Sequence, residues 1–330
     1  MNKTLIIGRE LCRELLTVED CIPAMKNTLR ALAEGQVKML DRSVIPHQNG
    51  NLLALMTASL LPQETAGSKV IIFPGPEAAK NGTSQGIIPL FDTVTGSLKA
   101  IVDATQITVV RTAAVTAAAT DALAAKDAHT AAVLGTGRQG IAHAEAMTKV
   151  RGITKLLLWN RTQERAEAAA AALAEKLPGI DVEVCNTAEE AARNADIICT
   201  TTSARSDEPI LKGEWLHPGT HVNAIGCVSP MGREVDTETV RKSRIFFDQA
   251  EAAKKSGDIA IPVGLSEIAS DSENFIGDIG GVLAASLAGR TSAEDITMFK
   301  SIGISAVDVA AALVIYEKAA AQGLGVEVEI

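Results

Sequence analysis

Apolar positions in the first third of the chain follow two spacings, and each predicts a different kind of element. From Leu15 to Gly35 they recur at the helical period, with Thr17 placed as the N-cap, so this stretch predicts one opening helix. Between residues 42 and 104 short apolar runs are separated by Asn-Gly, Pro-Gly and Thr-Gly turn signals, a pattern typical of an antiparallel sheet. Residues 107–126 are rich in alanine and threonine and predict a long helix.

Beyond that helix, apolar runs alternate with helical stretches. The predicted strands cover residues 130–134, 155–159, 182–185, 197–200 and 221–225, and the predicted helices cover residues 140–149, 163–177 and 188–194. Strand, helix, strand in succession favours an α/β fold with a doubly wound parallel sheet. A last helix from Ser301 to Gln322 is apolar on most faces, which suits packing between domains or a return to the first one.

The composition of the chain argues against several classes of binding partner. The chain has 330 residues, enough for two domains, and a formal net charge of −9, which argues against nucleic acid or an anionic membrane as partner. No apolar run reaches the roughly 20 residues that a bilayer requires, and no signal peptide is recognisable, so we expect a cytoplasmic protein. The five cysteines and five histidines lack disulfide or metal-ligand spacing, and no metal site is predicted.

A dinucleotide fingerprint follows the strand at residues 130–134. It has the form G-x-G-x-x-G, with glycines at Gly135, Gly137 and Gly140, and it leads from an apolar strand into a helix. These glycines permit a tight turn, a close approach of the backbone to a pyrophosphate and close packing of helix on strand. Twenty residues after Gly140 the sequence has Asn160 and Arg161 in place of an acidic residue, which favours NADP(H) over NAD(H), although NAD(H) stays possible.

Three cations outside the nucleotide-binding stretch suggest an anion site. Lys69 heads an apolar strand, Arg42 lies beside another, and Arg111 stands among alanines and valines, where a guanidinium needs solvent or an anion. Each one alone is compatible with a surface position. If all three converge on one cleft, they would bind a carboxylate substrate in an otherwise acidic protein.

Taken together, these motifs resemble the ornithine cyclodeaminase/mu-crystallin family over nearly the whole chain. The resemblance rests on Arg42, Gly67-Ser68-Lys69, Arg111-Thr112-Ala113-Ala114, the glycine fingerprint, Asn223-Ala224-Ile225-Gly226, Gly277-Asp278-Ile279 and residues 297–303. It implies a homodimer in which both chain ends, residues 1–115 and 304–330, form an α+β substrate-binding and dimerisation domain. It also implies that residues 116–303 form a central Rossmann-type domain.

The resemblance further implies roles for individual residues. Arg42, Lys69 and Arg111 would bind the substrate carboxylate, with Lys69 and Arg111 as the catalytic candidates, and Ile302 would touch the substrate. The residues expected to contact the cofactor are Thr83, Arg111, Thr112, Gly135, Gly137, Arg138, Gln139, Gly140, Asn160, Arg161, Thr162, Thr201 and Ser301.

One departure from the family pattern bears on the reaction. Cyclodeaminases of this family carry an aspartate two positions after the glycine of the Asn-Ala-Val-Gly motif, and here that position is Val228. Valine cannot move a proton. The neighbouring Cys227, or another group, would have to replace the aspartate, but a thiol beside a strand end is more often a packing residue. Losing a general acid or base typically costs on the order of 10²–10⁴ in rate.

We therefore predict an NAD(P)H-dependent oxidoreductase that acts on the Cα–N bond of a small amino or imino acid. A reductase of ketimines of the Δ1-pyrroline-2-carboxylate type, or an amino acid dehydrogenase, fits best. One alternative is ornithine cyclodeaminase, an ammonia-lyase that uses NAD. The other is an NADPH-dependent binding protein without catalysis.

Overall fold

The computed structural model describes residues 3–75, 77–80, 84–202, 206 and 208–330 of the chain. The chain divides into two compact units, the first made of Met1–Val115 with Gly303–Ile330 and the second of Thr116–Ile302. Both chain ends therefore fold into one unit, and the stretch between them forms the other.

The first unit is a mixed sheet with helices. Its strands, numbered along the chain, are β1 (Lys3–Ile7), β2 (Val37–Met39), β3 (Ser43–Pro46), β4 (Leu52–Leu60), β5 (Thr65–Phe73), β6 (Gln85–Asp92), β7 (Leu98–Asp103) and β16 (Val326–Glu329). Its helices are α1 (Arg9–Leu15), α2 (Val18–Ala33), the first half of α3 (Ile107–Leu123) and α11 (Ser305–Gln322). The strand order is β16-β1-β7-β6-β5-β4-β2, with β3 also paired to β4. Neighbouring strands are antiparallel except β1 and β7, which are parallel.

Burial alternates along the central strands of this sheet. On β4 the side chains of Ala54, Met56 and Ala58 are buried, whereas the residues between them are partly exposed. The same period of two runs through β5, so one face of the sheet forms the core and the other stays open. Helix α11 contacts β4, β5 and α2 on the covered face and is itself buried along most of its length.

The second unit is a parallel sheet with helices. Its strands are β8 (Thr130–Leu134), β9 (Lys155–Trp159), β10 (Asp181–Val184), β11 (Ile197–Thr200), β12 (His221–Ala224), β13 (Ser243–Phe247), β14 (Phe275–Asp278) and β15 (Ile296–Lys300). Its helices are the second half of α3, α4 (Arg138–Thr148), α5 (Gln163–Lys176), α6 (Ala188–Arg193), α7 (Thr237–Lys242), α8 (Ala250–Ala253), α9 (Gly257–Gly264) and α10 (Ile279–Leu283). The order is β10-β9-β8-β11-β12-β15-β13-β14, and every pairing is parallel.

This sheet has the order of a dinucleotide-binding fold. The chain leaves β8 for β9 and β10 on one side and then crosses back to β11 on the other side of β8. Such a reversal opens a crevice at the carboxyl ends of the strands, where ligands of these folds bind. The predicted α/β architecture, with a Rossmann-type parallel sheet and a second domain built from both chain ends, is confirmed.

The predicted opening helix is α2, and Thr17 is its N-cap as expected, because the Thr17 side chain accepts a hydrogen bond from Asp20 N. The short helix α1 before it was not predicted. The last helix begins at Ser305 and not at Ser301, since Gly303 has a φ of +80°, which is not helical. No helix within the described ranges is both long enough and apolar enough to cross a membrane.

Candidate active site

The first unit brings Lys69 and Arg111 together on one buried carboxylate, Asp308. Lys69 points to the covered face of the sheet from β5, Arg111 lies on α3, and Asp308 lies in the first turn of α11. The Nζ atom of Lys69 is 2.6 Å from Asp308 Oδ2, and Arg111 Nε donates a hydrogen bond to Asp308 Oδ1 at 2.9 Å. All three side chains are at least 94% buried, so their charges interact with little screening.

Gly303 connects the third predicted cation to this cluster. Arg42, which is exposed, donates from Nη2 to the Gly303 carbonyl oxygen at 3.2 Å. A Cβ atom on residue 303 would lie 2.9 Å from Arg111 Nη1 and 3.0 Å from Arg111 Nη2. The two arginines therefore meet at one glycine, and only a residue without a side chain leaves room for the Arg111 guanidinium there.

The charges in this cluster shift one another's pKa values. Burial, Arg111 and Arg42 lower the pKa of Lys69 to about 8, and Asp308 opposes them. The two neighbouring cations keep the pKa of Asp308 below its ordinary value in spite of its burial. Lys69 and Arg111 share one carboxylate, so these three groups together carry an excess of one positive charge that an anionic ligand can balance.

Asp308 is a site residue that the sequence analysis missed. The available signal was a lone carboxylate between Val307 and Val309 in an otherwise apolar helix. Buried aspartates are almost always paired, so that position alone indicated a partner. The sequence could not show which cation it pairs with, because Lys69 and Arg111 are roughly 200 or more positions away.

In the second unit the glycine fingerprint forms the turn between β8 and α4. Gly135 has a φ of +107°, and a Cβ atom on Gly140 would lie 2.0 Å from the Gly135 carbonyl oxygen. A Cβ atom on Gly137, the residue that precedes α4, would meet nothing within 4 Å, so open space lies above the helix N-terminus. The Thr136 hydroxyl is buried with no hydrogen-bond partner among the described residues. This turn fits a dinucleotide, because a pyrophosphate needs such open space and free donors.

Two predicted cofactor residues, each just after a neighbouring strand, form hydrogen bonds with this turn. Asn160, just after β9, accepts a hydrogen bond from Thr136 N at 3.3 Å and donates to Thr162 O at 2.9 Å. Thr201, just after β11, donates from Oγ1 to the Gly135 carbonyl oxygen at 2.7 Å. Both residues therefore lie at the carboxyl edge of the parallel sheet, beside the fingerprint.

Ser301 and Ile302 lie at the same edge, just after β15. Both bond to Asp248, which follows β13: Ser301 Oγ donates to its Oδ2 at 2.7 Å and Ile302 N donates at 3.0 Å. The Ile302 side chain is partly buried against the core of the second unit. In the first unit, the Thr112 hydroxyl bonds back to Thr108 O, one turn earlier on α3.

The remaining predicted cofactor residues are distributed as follows. Arg138 and Gln139 occupy the first turn of α4, where Arg138 is exposed and Gln139 is partly buried. Arg161 and Thr162 are exposed at the start of α5, and neither is covered by another part of the second unit. Thr83 lies outside the described residues.

A second buried charge cluster, which the sequence analysis also missed, joins three strand ends of the parallel sheet. Lys300, at the end of β15, places Nζ 2.8 Å from Asp258 Oδ2 and donates to the carbonyl oxygens of Ala224 and Cys227. Asp258 in turn accepts from the backbone N of Glu234. No element or partner was predicted for the segment from Gly226 to Phe275, although it contains β13 and α9.

The Glu234 carboxylate completes this cluster. It accepts hydrogen bonds from the hydroxyls of Thr200 and Thr202 and from the backbone N–H groups of Thr202, Gly226 and Cys227. Burial and the nearby Asp258 raise the pKa of Glu234. The carboxylate thereby fixes the segments that follow β11 and β12, next to the fingerprint turn.

The position of the missing cyclodeaminase aspartate is occupied by a partly exposed apolar side chain. Val228 is 49% exposed. Its neighbour Cys227 is buried, its thiol donates to the carbonyl oxygen of Gly232 at 3.0 Å, and burial raises the pKa of the thiol. Cys227 is therefore a packed thiol, and nothing in its contacts supports the alternative that it carries protons.

Among the described residues, Glu183, Cys185 and Glu190 place three potential metal ligands within 4.8 Å of one another. Both carboxylates already have other partners. Lys155 pairs with Glu183, and Glu190 accepts from the backbone N of Asn186. This group therefore gives no support for a metal centre.

The family model described as the ornithine cyclodeaminase/mu-crystallin family matches residues 2–323. A Δ1-pyrroline-2-carboxylate reductase from Bacillus cereus is 35% identical over 98% of this chain and 99% of its own length. A ketimine reductase mu-crystallin from Mus musculus is 34% identical over 86% of each chain. These similarities agree with the expected family.

Two solved structures share the whole fold. The Δ1-pyrroline-2-carboxylate reductase of Thermococcus litoralis, in complex with NADH and L-proline, superposes with a TM-score of 0.92 at 32% identity and covers 98% of this chain and all of that one. An archaeal alanine dehydrogenase dimer with bound NAD superposes with the same TM-score of 0.92 at 31% identity, over the full length of both chains.

Proposed function

Because the chain belongs to the ornithine cyclodeaminase/mu-crystallin family, we propose that it reduces the C=N bond of a small cyclic imino acid with NADPH or NADH. Δ1-pyrroline-2-carboxylate or a close ketimine is the substrate class. The observation that carries this proposal is the cluster of Lys69 and Arg111 on Asp308, with Arg42 joined to it through Gly303. Relatives with matching names, one of them a structure with L-proline, support the same reaction class.

The cation cluster suits the carboxylate of an imino acid. Arg42 and Arg111 offer guanidinium donors that match the two oxygens of a carboxylate. The imine carbon of a 2-carboxylated ketimine is bonded directly to that carboxylate. Binding of the carboxylate by the two guanidinium groups therefore also fixes the position of the reacting carbon. Such positioning contributes a large part of the rate acceleration.

The fingerprint turn and the carboxyl edge of the parallel sheet suit a nicotinamide dinucleotide. Gly135, Gly137 and Gly140 would admit the pyrophosphate, as their close approaches and the open space at Gly137 require. A reduced nicotinamide supplies the hydride that adds to the imine carbon. Since Asn160 and Arg161 stand where a carboxylate would repel a 2′-phosphate, we infer a preference for NADPH over NADH.

Lys69 supplies the proton in this proposal. Reduction of C=N needs one hydride at carbon and one proton at nitrogen. Burial lowers the pKa of Lys69 to about 8, so this group can exchange a proton near neutral pH. Its ammonium group therefore can both attract the carboxylate and give a proton to the nitrogen.

Two observations separate this reaction from ornithine cyclodeamination and from binding without catalysis. Val228 provides no carboxylate for the proton transfers of ornithine cyclodeamination, and a preformed cyclic imine needs no base that handles ammonia. A binding protein without catalysis would not need a buried lysine with a pKa near neutrality. Amino acid dehydrogenation stays a second candidate, since the archaeal alanine dehydrogenase has the same fold at 31% identity.

A substrate panel tests this proposal. We expect NADPH oxidation with Δ1-pyrroline-2-carboxylate to be much faster than with pyruvate plus ammonia, and ornithine with NAD⁺ to release no ammonia. Lys69→Met is expected to lower kcat/KM for the imine by about 10²–10⁴. The matched control is Lys99→Met on β7, a lysine of the same unit that pairs with Asp92. Faster turnover of pyruvate and ammonia, or of ornithine, would reject the imine reductase assignment.

We also propose that the chain forms a homodimer through the open face of the first unit's sheet. Leu55, Val70 and Ile87 align across β4, β5 and β6, and Ile45 and Phe91 extend the same apolar surface. A contiguous apolar face of this kind marks an association surface. The archaeal relative with the same fold is a dimer. Sedimentation equilibrium tests this proposal, and a monomeric protein would overturn it.

A further inference from the structure

The carboxylate of Asp308 is unexpected in a site that is proposed to bind an anion. A buried negative charge among Arg42, Lys69 and Arg111 weakens their attraction for the carboxylate of a substrate. Three cations alone would bind that anion more strongly. Asp308 must therefore serve the site in another way, and its contacts indicate which group it serves.

Each oxygen of Asp308 has its own cation. Oδ2 lies 2.6 Å from Lys69 Nζ, and Oδ1 accepts the hydrogen bond from Arg111 Nε at 2.9 Å. The Asp308 side chain is fully buried and Lys69 is 1% exposed, so water screens neither charge. The arrangement holds the Lys69 ammonium at one fixed point at the head of α11.

The charged groups that face Lys69 act on it in opposite directions. Arg111 on α3 and Arg42 before β3 disfavour its protonated form, as does burial, and Asp308 on α11 favours it. Asp308 itself stays ionised, because its two cations hold its pKa below the ordinary value. Loss of Asp308 would therefore lower the pKa of Lys69 further.

We propose that Asp308 is a positioning residue that keeps Lys69 protonated and aimed at the imine nitrogen until hydride reaches the adjacent carbon. This inference rests on the proposed imine reduction. In that step the hydride forms the new C–H bond, the π electrons of C=N take the proton from Lys69 Nζ, and a neutral amine of Lys69 is left. Lys69 then regains a proton from solvent, and Asp308 remains a carboxylate throughout.

The pH profile of the variant Asp308→Asn tests this role in the holoenzyme. An amide has nearly the same volume as the carboxylate and can still accept from Arg111, but it removes the charge that favours protonated Lys69. We expect the pH at which imine reduction declines to fall by roughly one unit or more, and the onset of L-proline oxidation to shift in the same direction. KM for NAD(P)H should not change.

A merely structural role predicts a different result. It would lower kcat by one factor at every pH and leave both midpoints in place, and that outcome would overturn the inference. Asp308→Glu retains the charge and should restore the wild-type midpoints. Asp20→Asn is the matched control, since Asp20 is an exposed aspartate of the same unit that pairs with Lys318, and its pH profile should equal that of wild type.

A direct titration separates this inference from the proposed function. The ¹³Cε signal of Lys69, assigned by its loss in Lys69→Met, should titrate near pH 8 in wild type and at lower pH in Asp308→Asn. This shift is expected even if no cyclic imine is reduced, in which case only the proposed function fails. An unchanged titration in an active enzyme would reject the role of Asp308. Should Asp308→Asn fail to fold, Arg111→Gln must move the Lys69 titration to higher pH, and any other shift contradicts the inference.

Discussion

The guanidinium group of Arg111 lies against the α-carbon of Gly303. A side chain at residue 303 would have its Cβ atom 2.9 Å from Arg111 Nη1, closer than real Cβ contacts allow. Gly303 also accepts a hydrogen bond from Arg42 through its carbonyl oxygen. The glycine therefore sets the distance between two cations that are proposed to hold the substrate carboxylate.

Gly303→Ala should weaken substrate binding. The methyl group would displace the Arg111 guanidinium, and the φ of +80° adds strain of about 1–3 kcal/mol for a residue with a Cβ. We expect KM for the imino acid to rise about tenfold or more, with the dissociation constant of NADPH unchanged. Gly323→Ala is the control, because Gly323 has a similar φ of +65° but nothing within 4 Å of its Cβ position. Equal KM values in the two variants would show that strain alone, and not Arg111, is responsible.

Lys300→Met should destabilise the protein strongly. It would leave the carboxylates of Asp258 and Glu234 buried beside each other without their cation. Breaking a buried pair in this way typically costs about 3–5 kcal/mol of unfolding free energy, measurable by urea denaturation. The control is Lys155→Met, which removes an exposed pair with Glu183 and should cost at most about 1 kcal/mol. A similarly small loss for Lys300→Met would mean that the buried cluster is not held by this charge.

Arg161→Ala should reduce the preference for NADPH. If the guanidinium of Arg161 binds the 2′-phosphate, its loss removes a charge-assisted contact worth roughly a 10- to 100-fold change in dissociation constant. The dissociation constant of NADH should stay the same, and fluorescence titration measures both. Arg165→Ala, which removes an exposed arginine one turn further along α5, is the control. An equal loss for NADH and NADPH in Arg161→Ala would contradict the proposed cofactor preference.

The sequence predicted the parts of the molecule that depend on local pattern. The fingerprint predicted β8, the turn and α4, since the positive φ of Gly135 and the close contact of Gly140 require glycine locally. Burial of Lys69 on the covered face follows from the period of two along β5, but an isolated lysine at the head of an apolar strand could equally have been exposed at its edge.

Contacts between segments that are distant in sequence could not be predicted from local sequence patterns. Asp308 pairs with Lys69 only because α11 returns to the covered face of the first sheet, and no local pattern specifies that partner. Glu234 is buried in irregular backbone, where its polar partners replace the apolar period that marks a core element. The strand β16 at residues 326–329 was not predicted either, because its Val-Glu alternation is short and most of its residues are exposed.

Transfer of deuterium from [4,4-²H₂]NADPH shows whether the nicotinamide delivers its hydride to the imine carbon. In a reaction with Δ1-pyrroline-2-carboxylate, we expect L-proline with one deuterium at Cα and one nucleotide oxidised for each imine consumed, as mass spectrometry and absorbance at 340 nm would show. Formation of proline without deuterium, or no proline from any cyclic imine under conditions where the nucleotide binds, would contradict the proposed imine reduction.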